Sequence, residues 1–415
     1  MSGQSLMTLA ELGDALQVEG LPARLAGGWA EAAARFSGQG AAFLSDTALD
    51  EVFRACQFPE DVATQLTEAV AVARRNPALF QLAWLWHTVL FAADDPPESA
   101  EWPGAEAALG EMAGMFPAVV MLSGLSHMLT VHRARRIPAE ITQATASDLA
   151  IWIRHYHRLR GRWGFSQLPW MMRHCRGGLF RLGRLQFEPI PFSHPLRVFK
   201  HRVSGEVLAL SEAGASYTRE GLLNGTNHVD DARAWVADLT VADGVICGHP
   251  IDPMGYARRE TVTLPAADWA QRLTPGDAVL NLHIPEDGKM AHDACGASLA
   301  AAEGFFARHC PEMPPPAAYV CGSWLLDSQL QAILPPNANI VQFQREFYLA
   351  PLLSHQQDVF GRIFGGMPAD LTQAPRDTAL RRAVLDFTLA GHALRGGYGF
   401  ILRDDLQWGA QRYQG

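Results

Sequence analysis

Hydrophobic residues recur every three to four positions through most of the first 140 residues, a spacing that predicts α-helices. The predicted helices cover residues 6–18, 28–36, 46–55, 59–75, 77–93 and 105–128, with a turn-rich break at 94–103. The apolar segment 77–93 is short for a bilayer and contains Gln81 and His87, which favours a buried helix over a membrane span. Strand-like alternation is almost absent from this part of the chain.

The Arg-rich segment 145–161 predicts a further helix. Ser147 is placed to cap its N-terminus, and Gly161 is placed to end it. From residue 179 the period of the pattern changes to two, which predicts two strands joined by a Pro-containing connection. We therefore expect a helical N-terminal domain over residues 1–165 and a second domain over residues 166–415.

The second domain alternates between helix-like and strand-like segments. Helices are predicted at 231–238, 264–273, 298–308 and 378–394, and strands at 278–285, 314–327, 337–347 and 396–402. Alternation of this kind is typical of an α/β domain built on a mixed sheet. The expected fold class is therefore α+β overall, a helical domain followed by an α/β domain.

Composition narrows the function classes. The chain is 48% hydrophobic and 19% charged over 415 residues, which is enough apolar surface for two cores. Its net charge of −9 argues against a general nucleic-acid or anionic-membrane binder. The six cysteines form no CxxC pair, and the first residues lack the features of a secretory signal. We expect a cytoplasmic protein that binds neither nucleic acid nor membrane.

The most informative segment is 277–306, a buried strand followed by a polar loop and a small-residue helix. In α/β proteins such a unit presents backbone N–H groups and the positive end of a helix dipole to phosphates. Lys289, one of two lysines in the chain, lies in the loop. The alternative is a plain strand–turn–helix connection with a glycine turn.

His283 lies near the C-terminal end of that strand, where α/β sheets place functional groups. An imidazole there suits a general base, and the alternative is a hydrogen-bonded core histidine. His292 and Asp293 are weaker candidates in the loop. Because these three residues lack a fourth ligand partner, we expect no metal site.

Cys321 and Ser323 end another predicted strand and could supply a nucleophile or a proton donor. The alternatives are a buried, inert cysteine and a serine that caps the next helix. Residues 149–187 hold eight arginines and no acidic residue. Such a basic surface suits the phosphates of a nucleotide or an acidic partner, and the simplest role for its aromatic residues is core packing.

Six blocks in this order resemble bacterial two-domain acyltransferases with a helical N-terminal domain and a GNAT-like C-terminal domain. They are GRWGF (161–165), GGLFRLGRLQFEP (177–189), VLNLHIPEDGKM (279–290), SLAAAEGFFARHCPE (298–312), CGSWLLD (321–327) and NANIVQF (337–343). The resemblance implies a GNAT-like mixed-sheet domain. It also implies transfer of an acyl group from acetyl-CoA or another acyl-CoA to a small-molecule amine. The loop 286–298 lacks the glycine-rich pyrophosphate motif of typical GNAT enzymes.

With that family as a guide, candidate roles follow for individual residues. The base is His283 first and Glu286 second, and the acid is Ser323 or Cys321. The residues expected to hold the cofactor are those of the loop and first helical turn, namely Gly288, Lys289, Met290, Cys295, Gly296 and Ser298. The transfer is expected to be direct, with a covalent route through Cys295 or Cys321 as an alternative.

Two other functions stay open at this point. The missing pyrophosphate motif fits a GNAT-like domain that binds a ligand or a protein without catalysis. An acyl carrier protein could instead donate the acyl group, docking on the Arg-rich stretch at Arg158 and Arg162.

Overall fold

The computed structural model describes residues 6–19, 23–36, 42–92 and 105–414, so the predicted break at 94–103 lies outside the described residues. The chain forms two compact units. Unit 1 contains Met1–Gln186 together with Pro285–Gly288, and unit 2 contains Phe187–Ile284 and Lys289–Gly415. The chain thus leaves unit 2 after Ile284, contributes four residues to unit 1 and returns to unit 2 at Lys289.

Unit 1 is helical, as the spacing of its apolar residues predicts. Its described helices are α1 (Leu9–Leu16), α2 (Ala23–Arg35), α3 (Asp46–Cys56), α4 (Glu60–Arg75), α5 (Pro77–His87), α6 (Glu106–Leu109), α7 (Phe116–Ala134), α8 (Ala139–Arg160) and α9 (Leu168–Cys175). Side-chain caps define several starts, because Thr8, Ser45 and Asn76 each accept a backbone N–H of the first turn.

Helix α7 is the central helix of this unit. The stretch Ala107–Ala134 is long and apolar enough to cross a membrane, but 61% of its most apolar window is buried inside the protein. Its buried residues join one core with those of the neighbouring helices. The burial is what a core helix of a bundle requires.

Helix α8 is longer than predicted. It begins at Ala139, directly after Pro138, so Ser147 does not cap it but lies two turns inside the helix. There the Ser147 hydroxyl donates to the carbonyl of Ala144 at 2.7 Å. The predicted end is confirmed, because Gly161 adopts φ 67°, the left-handed conformation that glycine tolerates.

Strands begin where the sequence period changes. They are β1 (Phe180–Leu182), β2 (Leu185–Pro191), β3 (Leu196–His201), β4 (Val207–Ser211), β5 (Ser216–Tyr217), β6 (Trp235–Val236), β7 (Leu239–Ala242), β8 (Val245–Gly248), β9 (Pro250–Ile251), β10 (Val262–Pro265), β11 (Trp269–Leu273), β12 (Ala278–His283), β13 (Ala318–Ser323), β14 (Tyr348–Pro351) and β15 (Gly397–Leu402). The chain passes from unit 1 to unit 2 within β2.

The main sheet of unit 2 has the strand order β2-β12-β13-β15-β14. β12 and β13 are parallel, whereas β13 with β15 and β15 with β14 are antiparallel. A second sheet, ordered β11-β3-β4-β9, packs against one face of the main sheet. Val279, Val320 and Phe400 from the first sheet share a core with Leu196 and Ile251 from the second. The expected mixed-sheet domain is confirmed.

The helices of unit 2 are α10 (His292–His309), α11 (Leu330–Ile333), α12 (Asn339–Arg345), α13 (Gln356–Phe364) and α14 (Ala379–Leu389). The predicted helices at 298–308 and 378–394 correspond to α10 and α14. The predicted strands at 278–285, 314–327 and 396–402 correspond to β12, β13 and β15.

Three segment predictions are wrong. Residues 231–238 form a turn and the short strand β6, because Asp231 accepts the backbone N–H of Arg219 at 2.8 Å and holds a loop. Residues 264–273 form the end of β10 and β11, since pairing with neighbouring strands overrides their helical spacing. Residues 337–347 form helix α12, a short apolar run whose period is ambiguous in sequence.

Candidate functional site

The parallel strands β12 and β13 separate before either one ends. They pair at Val279 with Ala318, Leu280 with Tyr319 and Asn281 with Val320. β12 then continues to His283 and β13 to Ser323 without a further recorded pair between them. The pairing between these strands therefore ends before the strands do. We call the stretch beyond it, residues 282–283 and 321–323, the opening, and its facing backbone groups suit an extended ligand.

His283 stands at this opening. Its Nε2 lies 3.1 Å from Oε2 of Glu188 on β2, and both side chains are about four-fifths buried. Nε2 is also 3.2 Å from the side-chain amide of Asn281. Glu188 was not singled out from the sequence. An imidazole oriented by a carboxylate has the geometry of a general base.

Strand pleating decides which side chains can act together. His283 lies on the same face of β12 as Val279, because side chains alternate along a strand. Gly322 pairs with Tyr398 of β15, two residues from Phe400, so both lie on that face too. Cys321 and Ser323 alternate with Gly322 and point to the opposite face. The predicted base and the predicted acids are thus on opposite sides of the sheet.

Cys321 is 1% exposed, and burial raises the pKa of its thiol to about 12. A thiol in this state is neutral at physiological pH, which does not suit a nucleophile. Ser323 accepts the backbone N–H of Leu325 at 3.2 Å and so caps the short turn Trp324–Leu326. Its hydroxyl hydrogen stays available for donation.

Tyr398 is a polar group that the sequence did not reveal. Its ring lies against Gly322, where an added β-carbon would stand 3.5 Å from Cδ2 of the tyrosine. The ring also stacks on His194, with centroids 4.1 Å apart and planes at 3°. Burial raises the pKa of Tyr398, so the phenol stays protonated and can donate a hydrogen bond.

The loop after β12 leads into the 18-residue helix α10, which begins at His292, earlier than expected. Because the N–H of Cys295 already bonds to the carbonyl of Ala291 at 3.1 Å, the amides at positions 292–294 are those without an intrahelical acceptor. Cys295 and Ser298 are buried, and the Ser298 hydroxyl donates to Ala294 at 2.9 Å. Both side chains therefore face the protein interior.

Gly296 has a packing role. A β-carbon there would come within 2.4 Å of Cδ1 of Trp408. Trp408 in turn donates from Nε1 to the carbonyl of His292 at 2.9 Å. His292 contacts the buried carboxylate of Glu346 at 2.8 Å. The first turn of α10 is thus fixed from one side, while Lys289 is exposed and Met290 buried just before it.

Glu286 and Gly288 belong to the four residues that the chain contributes to unit 1. Glu286 forms an ion pair with Arg158, and its other oxygen lies 2.5 Å from His155. Asp287 is held by Arg181 through two bonds of 2.9 Å, and Arg184 donates to the carbonyls of Pro285 and Gly288. Ion pairs and hydrogen bonds from the arginine-rich stretch therefore hold residues 285–288 in place.

No group of three or more possible metal ligands is found in the described residues.

Two family models match the chain. Residues 179–401 match the GNAT-like C-terminal domain, and residues 47–177 match the N-acyltransferase N-terminal domain. The chain belongs to this GNAT-like family. The resemblance seen in the sequence blocks is thereby confirmed, and the boundary between the two models falls at 177–179. No curated protein matches the chain in sequence.

Solved structures share the fold. An acyltransferase in complex with decanoyl-CoA and teicoplanin is 22% identical, with a TM-score of 0.63, covering 95% of this chain and 99% of that one. An acyltransferase mutant in complex with octanoyl-CoA is 21% identical, with a TM-score of 0.62 and the same coverage. These similarities support the two-part architecture of the GNAT-like protein.

Proposed function

We propose that the protein is an acyl-CoA-dependent N-acyltransferase that passes an acyl group directly to an amine. The observation that carries the proposal is the opening between β12 and β13 beyond Asn281 and Val320. The backbone groups along that opening suit an extended chain with amide groups, such as pantetheine, which would pair there as an added strand does. The thioester would then lie beside His283.

The other end of the cofactor would meet the start of α10. The amides at positions 292–294 and the helix dipole favour a pyrophosphate there, and the exposed Lys289 adds positive charge. Such a site needs no glycine-rich motif. Of the residues predicted to bind the cofactor, Lys289 is the one we retain for charge. The side chains of Cys295 and Ser298 are buried, and Gly296 packs against Trp408.

The reaction needs two proton movements. His283, oriented by Glu188, removes a proton from the acceptor ammonium. The amine nitrogen attacks the thioester carbonyl, the C–N bond forms and the C–S bond breaks. Tyr398, on the same face as His283, donates a hydrogen bond to the departing sulfur. The nitrogen gives up its second proton as the amide forms, and that proton ends on the sulfur as the thiol of free CoA. This direct route needs no covalent enzyme intermediate.

The structural neighbours indicate where to start with substrates. They contain octanoyl-CoA, decanoyl-CoA or CoA, and two contain teicoplanin or its 10C form. Octanoyl-CoA and decanoyl-CoA are therefore the first donors to test. The acceptor proposed for this chain is a small molecule with a reactive amine.

Calorimetric titration with octanoyl-CoA tests the proposal, with Lys289→Ala and Lys289→Arg as a matched pair. We expect micromolar binding that Lys289→Ala weakens tenfold or more, equivalent to ~1.4 kcal/mol, and that Lys289→Arg largely retains. No binding at millimolar octanoyl-CoA would overturn CoA dependence. Acyl transfer from a carrier protein by the same sample would then replace CoA as the donor.

A further inference from the structure

Gly322 lies on β13 within the opening, and it is exposed. Its backbone is that of a strand, because it pairs with Tyr398 of β15 and its φ lies outside the left-handed region. Glycine is depleted at such positions, since it loses more backbone freedom on folding than any residue with a side chain. The backbone conformation therefore does not explain why position 322 is a glycine.

Packing does not explain this glycine either. A β-carbon added at Gly322 would stand 3.5 Å from Cδ2 of Tyr398 and 3.9 Å from Cδ2 of Leu352, which are ordinary van der Waals distances. Gly399 on the neighbouring strand β15 differs, because a β-carbon there would come within 3.0 Å of Phe347. Gly322 therefore has room for a side chain that the sequence does not place there.

The empty position lies between the proposed base and the proposed hydrogen-bond donor. Asn281 of β12 pairs with Val320 of β13. Two residues further along these parallel strands, the same register places His283 opposite Gly322. On its other side Gly322 pairs with Tyr398. Adjacent strands lie about 4.8 Å apart, so the row of His283, Gly322 and Tyr398 spans about 10 Å.

The proposed reaction requires one atom to be reached from both ends of this row. The carbonyl carbon of the thioester bonds to the incoming nitrogen, which His283 deprotonates, and to the departing sulfur, which Tyr398 contacts. That carbon therefore has to lie between the two side chains, above Gly322. A glycine inside a strand is the residue that lets a ligand approach the backbone closely.

We propose that Gly322 is a specificity-determining residue, whose missing side chain leaves the space in which the acyl thioester lies during transfer. The inference rests on the proposed acyl-CoA-dependent function and assigns the acyl end of the donor to one position of β13. A side chain at position 322 takes the volume of the acyl carbonyl and the methylene next to it. CoA itself ends in a thiol and needs none of that volume.

The test is calorimetric titration of octanoyl-CoA, and separately of CoA, into the parent protein, Gly322→Ala and Gly322→Val. We expect Gly322→Val to weaken octanoyl-CoA binding about tenfold or more, and to change CoA binding by less than about twofold. Gly322→Ala should shift the ratio of the two affinities in the same direction by a smaller factor, because it adds a single carbon.

Gly399→Ala is the matched control. It makes the same substitution on the next strand, at a residue that pairs with Cys321 and so lies on the face away from His283. Because its added carbon meets Phe347, this variant should melt at a lower temperature and keep the parental ratio of the two affinities. Gly322→Ala should show the reverse, a melting temperature that is not lowered and a changed ratio.

The outcomes separate the two proposals. Parental affinity for both ligands in Gly322→Val, or equal weakening of both, would overturn the role of Gly322 and leave acyl transfer standing. No binding of either ligand to the parent protein at millimolar concentration would overturn the proposed function, and the inference with it. Where melting curves show that Gly322→Val does not fold, the affinity ratio of Gly322→Ala decides.

Discussion

His283 and Glu188 lie 3.1 Å apart although 95 residues separate them in the chain. β2 and β12 bring them together as neighbours in the main sheet. The contact gives His283 a fixed orientation at the point where β12 and β13 separate. A base that takes a proton from an ammonium group works faster when its imidazole is already held in the reactive orientation.

We expect His283→Ala to lower kcat about 100-fold or more, because it removes the proposed base. Glu188→Gln should lower kcat by about 10-fold, since the amide keeps the shape but loses the charge. Octanoyl-CoA affinity should be unchanged in both. Steady-state thiol release and calorimetry provide the two readouts, and full activity in His283→Ala would exclude it as the base.

Tyr398→Phe removes the proposed donor and keeps the ring that stacks on His194. The expected result is a fall in kcat of about 10-fold, equivalent to one lost hydrogen bond of ~1.4 kcal/mol in the transition state. The melting temperature should barely change. Tyr398→Ala, which also loses the stacking, serves as the comparison and should melt lower. A Phe variant with parental kcat would assign the role to another group.

Gly296→Ala places a β-carbon 2.4 Å from the ring of Trp408. We expect a loss of about 1–3 kcal/mol in the free energy of unfolding, the usual cost of overpacking. Trp408→Leu should make space for the added methyl group, so a double-mutant cycle measured by urea unfolding should show favourable coupling. Additive losses in the double variant would mean that the two residues do not compete for space.

His194 predicts acid sensitivity. Burial lowers its pKa from 6.5 to about 3, so the folded protein keeps this imidazole neutral while the unfolded chain binds a proton below pH 6.5. The stability that depends on this neutral imidazole is fully present above pH 6.5 and is lost as the pH falls toward 3, by about 1.4 kcal/mol per pH unit. His194→Phe keeps a ring against Tyr398 and should flatten this part of the stability curve. Urea unfolding at several pH values is the measurement.

Cys321 should resist alkylation. Because burial raises the pKa of its thiol to about 12, iodoacetamide at pH 8 should label the partly exposed Cys247 first and leave Cys321 unmodified in the folded protein. Cys321→Ala should retain acyl transfer. Rapid labelling of Cys321, or an acylated Cys321 trapped during turnover and seen by mass spectrometry, would revive the covalent route.

Local patterns in the sequence predicted the elements with a clear period. The strand, loop and helix formed by β12, residues 284–291 and α10 were predicted in order, because a buried strand and a small-residue helix differ in period. The wrong predictions concern segments whose apolar pattern is short, or whose structure depends on pairing with distant strands. Residues 337–347 form helix α12, and residues 264–273 belong to a strand pair whose partners, β8 and β3, come earlier in the chain.

The candidate site was predicted only in part. His283 could be proposed because it ends a buried strand, a position visible in the sequence. Glu188 and Tyr398 carry no local motif, and their importance depends on pairing between distant strands. The orientation of Cys321 and Ser323 away from His283 follows from the register of β13, which composition does not encode.

The four residues Pro285–Gly288 limit how the two units of this protein can be exchanged with those of a relative. They are encoded among the residues of unit 2, yet Arg158, Arg181 and Arg184 of unit 1 hold them. A chimera that joins the helical unit of one relative to the C-terminal unit of another would separate these arginines from the carboxylates and carbonyls that they contact in this chain. Exchange of the two halves therefore has to transplant this tetrapeptide with the helical half, as a second, non-contiguous insert.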